Sequence, residues 1–313
     1  MSHLDENIMR DRRSYSAVAC LVIQTSGLVL ATKYSYRQGA ESYDSSSVIF
    51  VGEVFKLLTC VALECGRRLH SRKNSPPITA SIFFMVIPAT LYVIQNNLNF
   101  YALRGLTPAV FVVTAQLKIV TSAFFSAVLL NKKLNTRKVM AITLLLVGIT
   151  TVHLEEGNSS SRAQAPPSQP KPLAFAALLA AVSISGLAGA LLEKTFTTGN
   201  SSIWVKNAFL SAFSLPFAAF IAARDMFLKK PPTLFSGYDS VVCVVVTLHA
   251  IGGLLTAAVM RHAGVVAKCF AVSLSIVICV LIGIQLGVQE ESRAVLFGST
   301  LVISAVFMFF REK

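Results

Sequence analysis

A chain of 313 residues that is 54% hydrophobic and only 14% charged, where soluble domains carry roughly a quarter, is not built for water. Its mean hydropathy of +0.65 and formal net charge of +13 leave a membrane protein or a basic nucleic-acid binder to be weighed. The placement of the charge decides for the membrane and gives no support to a nucleic-acid partner.

Ten apolar runs follow one another along the chain, at approximately 16–32, 46–63, 78–103, 105–130, 139–153, 172–192, 202–223, 240–260, 265–289 and 294–310. A helix needs about twenty such residues to cross roughly 30 Å of hydrocarbon. Nothing resembles a secretory signal, which would be one apolar stretch with a small-residue cleavage site ahead of a soluble chain. With the N-terminus placed in the cytosol, sixteen lysines and arginines fall on the cytosolic side and nine on the other, while Lys56, Lys118 and Lys206 lie within runs. The asymmetry follows the positive-inside rule and puts both termini in the cytosol.

The second run carries Glu53 and Lys56 three residues apart, an acid and a base able to neutralise each other as a structural or gating pair. The third holds Gln95-Asn96-Asn97 and Asn99. With Tyr92, these recur at three- and four-residue steps along one helix face, suited either to reading a base or sugar hydroxyls or to bonding between helices. The fourth places Lys118 in mid-run with no acid between Gly105 and Leu130. A charge at the middle of a span costs at least about 2.5–3.5 kcal/mol, so the missing anion is either a substrate or a distant partner reached by snorkelling.

Between the fifth and sixth runs lies the longest polar stretch, Glu155 to Lys171, with three serines in a row and three prolines. It divides the runs five and five, and an odd number per half turns the halves over in the membrane. The expected fold class is therefore an all-α membrane protein of ten transmembrane helices in two inverted five-helix repeats. Residues 1–154 form the first with a cytosolic tail, 155–171 a lumenal linker, and 172–313 the second with a short cytosolic tail. The sequons at Asn158 and Asn200 would then lie on opposite sides, only the first in the lumen.

In the sixth run Gly186 and Gly189, near Ser183 and Ser185, make a small-residue surface for packing or for a ligand. The seventh carries Asn207, Ser211 and Ser214 on one face, and the ninth carries Lys268 near its start, where it is either a boundary residue or a second cation for a phosphate-bearing ligand. The fourth and ninth runs hold equivalent places in the two halves, so Lys118 and Lys268 could converge on one ligand. The six cysteines lack any C-x-x-C pair and read as small hydrophobes, and the five histidines lack ligand spacing, so no metal or cofactor is expected. A membrane enzyme should show paired carboxylates or a metal cluster. Here the acid within a run is Glu53, beside Lys56.

Six stretches, in order across residues 30 to 290, carry a resemblance. They are Glu53-Val54-x-Lys56-Leu57-Leu58, Gln95-Asn96-Asn97-Leu98, Val113-Thr114-x-Gln116-Leu117-Lys118-Ile119, Gly186-x-Ala188-Gly189-x-x-x-Glu193-Lys194, Trp204-Val205-Lys206-Asn207 and Gly252-Gly253-Leu254. The chain resembles the nucleotide-sugar transporters, in the branch carrying UDP-galactose, UDP-N-acetylglucosamine and CMP-sialic acid. The resemblance implies the ten-helix bundle of the drug/metabolite transporters, a Golgi membrane (the endoplasmic reticulum being the alternative), and no enzymatic activity. It implies exchange of a cytosolic nucleotide sugar for a lumenal nucleoside monophosphate by alternating access of the two halves, with UDP-galactose or UDP-N-acetylglucosamine ahead of CMP-sialic acid. Lys118 and Lys268 would hold phosphate. Tyr92, Gln95, Asn96, Asn99, Thr114, Gln116, Gly186, Gly189, Asn207, Ser211 and Ser273 would line the nucleotide and sugar pocket. The chain departs from the family pattern at Phe111 and Ala115, where tyrosines are usual, at Ser211, and in Gly264-Val265-Val266-Ala267-Lys268-Cys269, which usually reads Asp-Asn-x-x-Lys-Gly. A phosphorylated-metabolite carrier of the same fold is the alternative function, a multispan enzyme a remote one, and a homodimer is left open.

Overall fold

The computed structural model describes residues 3–35, 43–70, 84–106, 111, 114–160, 171–198, 201–228, 234–285 and 293–311. Asn200 and the greater part of the 155–171 linker lie outside them, and the side chains of Asn96, Asn97 and Asn158 are likewise not described. Among the described residues the chain is helical, without strands: α1 (His3–Ser35), α2 (Ser45–His70), α3 (Val86–Gly105), α4 (Lys118–Leu130), α5 (Thr136–Ser160), α6 (Lys171–Thr197), α7 (Ile203–Leu228), α8 (Ser240–His262), α9 (Val265–Gln285) and α10 (Arg293–Phe310).

Seven of these, α1 and α5 to α10, are long and apolar enough to cross a membrane, with mean hydropathy reaching 2.7 in α9. The three that fall short are the ones whose apolar runs carry polar cargo: the Glu53–Lys56 pair in α2, the amides of α3, and Lys118 at the head of the 13-residue α4. Large side chains such as Ile23, Phe220, Phe297 and Phe307 stand 61–73% exposed on helix faces. Such surface is a liability in water and the ordinary lining of a protein in lipid. The protein is a multi-pass membrane protein.

The chain folds into two compact units, each built from both sequence halves: Met1–Ala89 with Thr195–Ala263, and Thr90–Lys194 with Gly264–Lys313. In the first, α1 packs on α8, and α2 on α7 and α8. Small residues of α8 and α2 make room for polar ones. A Cβ at Gly252 would lie 2.5 Å from Gln24 Nε2, one at Gly253 would lie 2.7 Å from Lys56 Cδ, and one at Gly52 would meet His249 at 2.8 Å. Gln24 uses that space to donate to the carbonyl of Leu248 at 2.8 Å, which satisfies an amide where water is absent. Asp239 caps α8 by accepting from the Val242 N–H at 2.8 Å.

In the second unit α5 and α10 make the most extensive helix pairing, brought together at Gly148 and Gly298. A Cβ on either would lie 2.7–2.8 Å from the other's carbonyl oxygen, so two glycines let the backbones touch, as small residues do where no hydrophobic force drives helices together. Around them Ile142, Leu145, Ile149, Phe270, Val277 and Val302 form the core, and Phe270 stacks on Phe309 at 4.3 Å.

Candidate functional site

Lys118 keeps its place in the middle of the fourth run, but the backbone beside it is not one continuous α-helix. Residues 114 and 115 are helical, Gln116 and Leu117 form a turn, and α4 proper begins at Lys118. The turn is tightened by three-residue bonds, from the Leu117 N–H to Thr114 and from the Ile119 N–H to Gln116, both at 3.0 Å. It buries Thr114 and Gln116. A 3₁₀-like break inside a span marks functional positions often, because it exposes a helix end at membrane depth.

Lys268 sits in the first turn of α9, its N–H bonded to Gly264 O at 3.2 Å. Both lysines thus ride at helix N-termini, the positive ends of the helix dipoles, and neither first turn contains an acid. Each cation works against its own helix end, by typically 0.3–1 kcal/mol. Among the described residues neither lysine has an acidic partner within ion-pair distance. They lie in electrostatic range of one another, and both neighbour Cys269, as does Tyr92 of α3. Tyr92, Lys118 and Lys268, from three helices of one unit, thus each lie in electrostatic range of Cys269. Ser273 lies buried one turn further along α9, on the face of Cys269.

The amide face of α3 belongs to the same unit, with Gln95 and Asn99 half-buried. Gln95 Oε1 is buried without a hydrogen-bond partner. A buried unpaired acceptor costs about 1–3 kcal/mol, and an arriving donor relieves it. Asn207 and Ser211 lie in the other unit, each buried on α7, and Asn207 Oδ1 and Ser211 Oγ are also unpartnered. The Asn207 amide nitrogen is already used, donating to Ile203 O at 3.0 Å. Glu53 and Lys56 pair at 2.6 Å within that unit, with Glu53 Oε2 left over. Phe111 and Ala115 pack against Ala102, Leu178 and Val182.

Gly186 and Gly189 have a packing role. A Cβ at Gly186 would lie 2.5–2.7 Å from Thr121, and one at Gly189 would lie 2.8 Å from Val265. These contacts seat α6 against α4 and α9.

Sequence reasoning gave no individual role to three residues. Lys206, a charge inside an apolar run, points back at the end of α6 and donates to the carbonyls of Thr195, Phe196 and Thr198. Glu193, at the edge of the sixth run, is fully buried and pairs with Lys132. Glu53 is therefore not the chain's one buried acid. The signal was available as an acid four residues after Gly189 at the foot of an apolar run, but its partners are remote in sequence. Cys269, read as a small hydrophobe, lies in electrostatic range of both lysines.

Among the described residues no three His, Cys, Asp or Glu side chains group as metal ligands. A family model for nucleotide-sugar transporters matches residues 10–310. The chain is 36% identical to the UDP-N-acetylglucosamine/UDP-N-acetylgalactosamine transporter of Caenorhabditis elegans, covering 95% of this chain and 93% of that one. It is 36% identical to the UDP-galactose transporter of Schizosaccharomyces pombe over 94% of this chain and 87% of the other, and 33% identical to the UDP-N-acetylglucosamine transporter of Homo sapiens over 94% of each. A crystal structure sharing 16% identity superposes with a TM-score of 0.68 over 96% of this chain and 97% of the other, a likeness of fold. The family model covers most of a chain whose helices are long and apolar enough to span a membrane, and the chain belongs to the nucleotide-sugar transporter family and is a transporter, not an enzyme.

Proposed function

We propose that this protein exchanges a UDP-linked sugar, UDP-galactose or UDP-N-acetylglucosamine, for a nucleoside monophosphate across the Golgi membrane by alternating access. The observation that carries the reading is the pair Lys118 and Lys268, two cations at helix N-termini beside Cys269 with no acidic partner among the described residues. Such a site lacks one thing, an anion of about two charges, and a diphosphate supplies it. In the same unit the unpartnered Gln95 Oε1 supplies an acceptor for a donor of the base or sugar. The printed names of the relatives favour UDP over CMP as carrier.

Exchange follows from charge. Closing an empty cavity over two uncompensated ammonium groups is costly, so the return step runs with the anionic product aboard. The ten spans, their inverted halves and the cytosolic termini belong to this proposal. A glycan on Asn158 and none on Asn200 would support the orientation, and the reverse would overturn it.

The test is counterflow in proteoliposomes over a nucleotide-sugar panel. UMP should compete more strongly than CMP or GMP, and inorganic phosphate weakly. Strong competition by phosphate with no base preference would favour a phosphorylated-metabolite carrier. Lys118→Ala and Lys268→Ala should each abolish exchange in folded protein, and exchange at the unmutated rate would sink the two-lysine site.

A further inference from the structure

One face of α6 runs through Val182, Gly186, Gly189 and Glu193, at steps of four, three and four residues. Its upper half holds α4 and its lower half holds α9. At the upper half the Thr121 hydroxyl donates to Val182 O at 3.0 Å, and Gly186 meets the backbone of Thr121 so closely that a Cβ would lie 2.6 Å from its carbonyl carbon. At the lower half Gly189 abuts Val265, and the Glu193 carboxylate accepts the Val265 N–H at 2.9 Å. Thr121 lies three residues after Lys118, and Val265 three residues before Lys268. Each lysine is thus one helical turn from the residue that α6 grips.

Glu193 is the strongest of these grips. Its carboxylate is buried, takes the Val265 N–H and the Ser126 hydroxyl on Oε2, the latter at 3.2 Å, and is neutralised on Oε1 by Lys132. Gly264 turns the chain into α9 at φ +93°, and a Cβ there would lie 2.7 Å from both Glu193 Oε1 and Lys132 Nζ. The acid therefore serves as the N-terminal cap of α9 from another helix, at a turn that only glycine fits. Lys132 absorbs its charge, so Glu193 holds α9 without being the counterion of Lys268.

We infer that Glu193 is a positioning residue for the phosphate site, fixing the first turn of α9 so that Lys268 is presented at a set distance from Lys118. This rests on the reading of both lysines as phosphate ligands, and the following experiment separates the two. The full chain in proteoliposomes exchanges labelled UDP-N-acetylglucosamine against UMP, and the half-saturating UMP concentration is read for Lys268→Ala, Glu193→Ala, Glu193→Gln and the Glu193→Ala/Lys268→Ala pair. Glu193→Ala should raise it on the order of tenfold, as loss of a cap coupled to a neighbouring residue does. Glu193→Gln should raise it less, because its amide oxygen still accepts from Val265 N–H. The pair should be no worse than Lys268→Ala alone.

If Lys268→Ala leaves half-saturation unchanged, the phosphate reading fails and the positioning role with it. If Lys268→Ala weakens UMP but Glu193→Ala does not, or if the two losses multiply in the pair, Glu193 is a fold element only. Should Glu193→Ala fail to fold, the isosteric Glu193→Gln, alone and with Lys268→Ala, is read by the same criteria.

Discussion

The ammonium of Lys206 lies 2.6 Å from the carbonyl oxygen of Thr198, and the same group also reaches the carbonyls of Thr195 and Phe196. These carbonyls lie at and just beyond the C-terminus of α6, where the last turn of a helix runs out of intrahelical donors, and one cation meets all three, favoured by the negative end of the helix dipole. Lys206 is thus a helix cap, whereas Lys118 and Lys268 have no comparable partners among the described residues.

The two kinds of lysine should separate on substitution. Lys206→Met strands buried carbonyls and is expected to cost about 3 kcal/mol, seen as a lower Tm in detergent, while folded protein keeps its UMP affinity. Lys118→Met should do the opposite, leaving Tm near that of the parent and removing UMP binding. Thermal unfolding with and without UMP checks both.

Gly186 carries a second prediction. Its neighbour is the backbone of Thr121, which cannot rotate away, so Gly186→Ala should cost about 1–3 kcal/mol by overpacking. Thr121→Ala in the same chain should rescue only part of this, because the carbonyl carbon of residue 121 remains. Full rescue would mean that the threonine side chain alone sets the contact.

At the basic end of α2, beyond the apolar run, Arg67 bonds Glu64, and with Arg68 and Ser202 it holds the carboxyl down to about 2 from its ordinary 4.5, against the burial that pushes it up. A lowered folded-state pKa stabilises above the unfolded value, and the gain is lost as pH falls through the folded one. The stability difference between the parent and Glu64→Gln should therefore be constant from pH 6 to 8 and shrink between pH 4.5 and 2. Both arginines are nearly half exposed, so the difference should be below about 1 kcal/mol and fall with salt. Denaturation at two ionic strengths measures it.

Cys269 offers a direct probe of occupancy. It neighbours Tyr92, Lys118 and Lys268, so bound UMP should slow maleimide labelling of a variant that keeps Cys269 and has serine at the other five cysteines. A variant keeping only Cys243, exposed on α8, should label at the same rate with or without UMP. Equal protection of both would mean that UMP acts on the protein globally.

Much of this was legible in the chain. Among the described residues each of the ten apolar runs carries a helix, because length and hydropathy are local quantities and lipid leaves a backbone few alternatives to the helix. Lys118, Lys268 and the amides of α3 stood out for the same reason: a polar group in an apolar run is visible without knowing its neighbours. By itself the sequence determined the membrane class and the helices, and it marked the polar residues from which a site is proposed.

The tertiary structure decided which polar residues have partners. Lys206 and Lys118 look alike in sequence, each a lone lysine in an apolar run, yet one caps α6 and the other opens α4. Glu193 reads as an ordinary acid at a run's edge until α4, the α4–α5 loop and the head of α9 are seen around its carboxylate. Those contacts join residues 61 to 72 positions apart, and no local pattern encodes them. The break at Gln116–Leu117, which sets Lys118 at the head of α4, is likewise seen only in the folded backbone, since no glycine or proline between Thr114 and Lys118 marks it in the sequence.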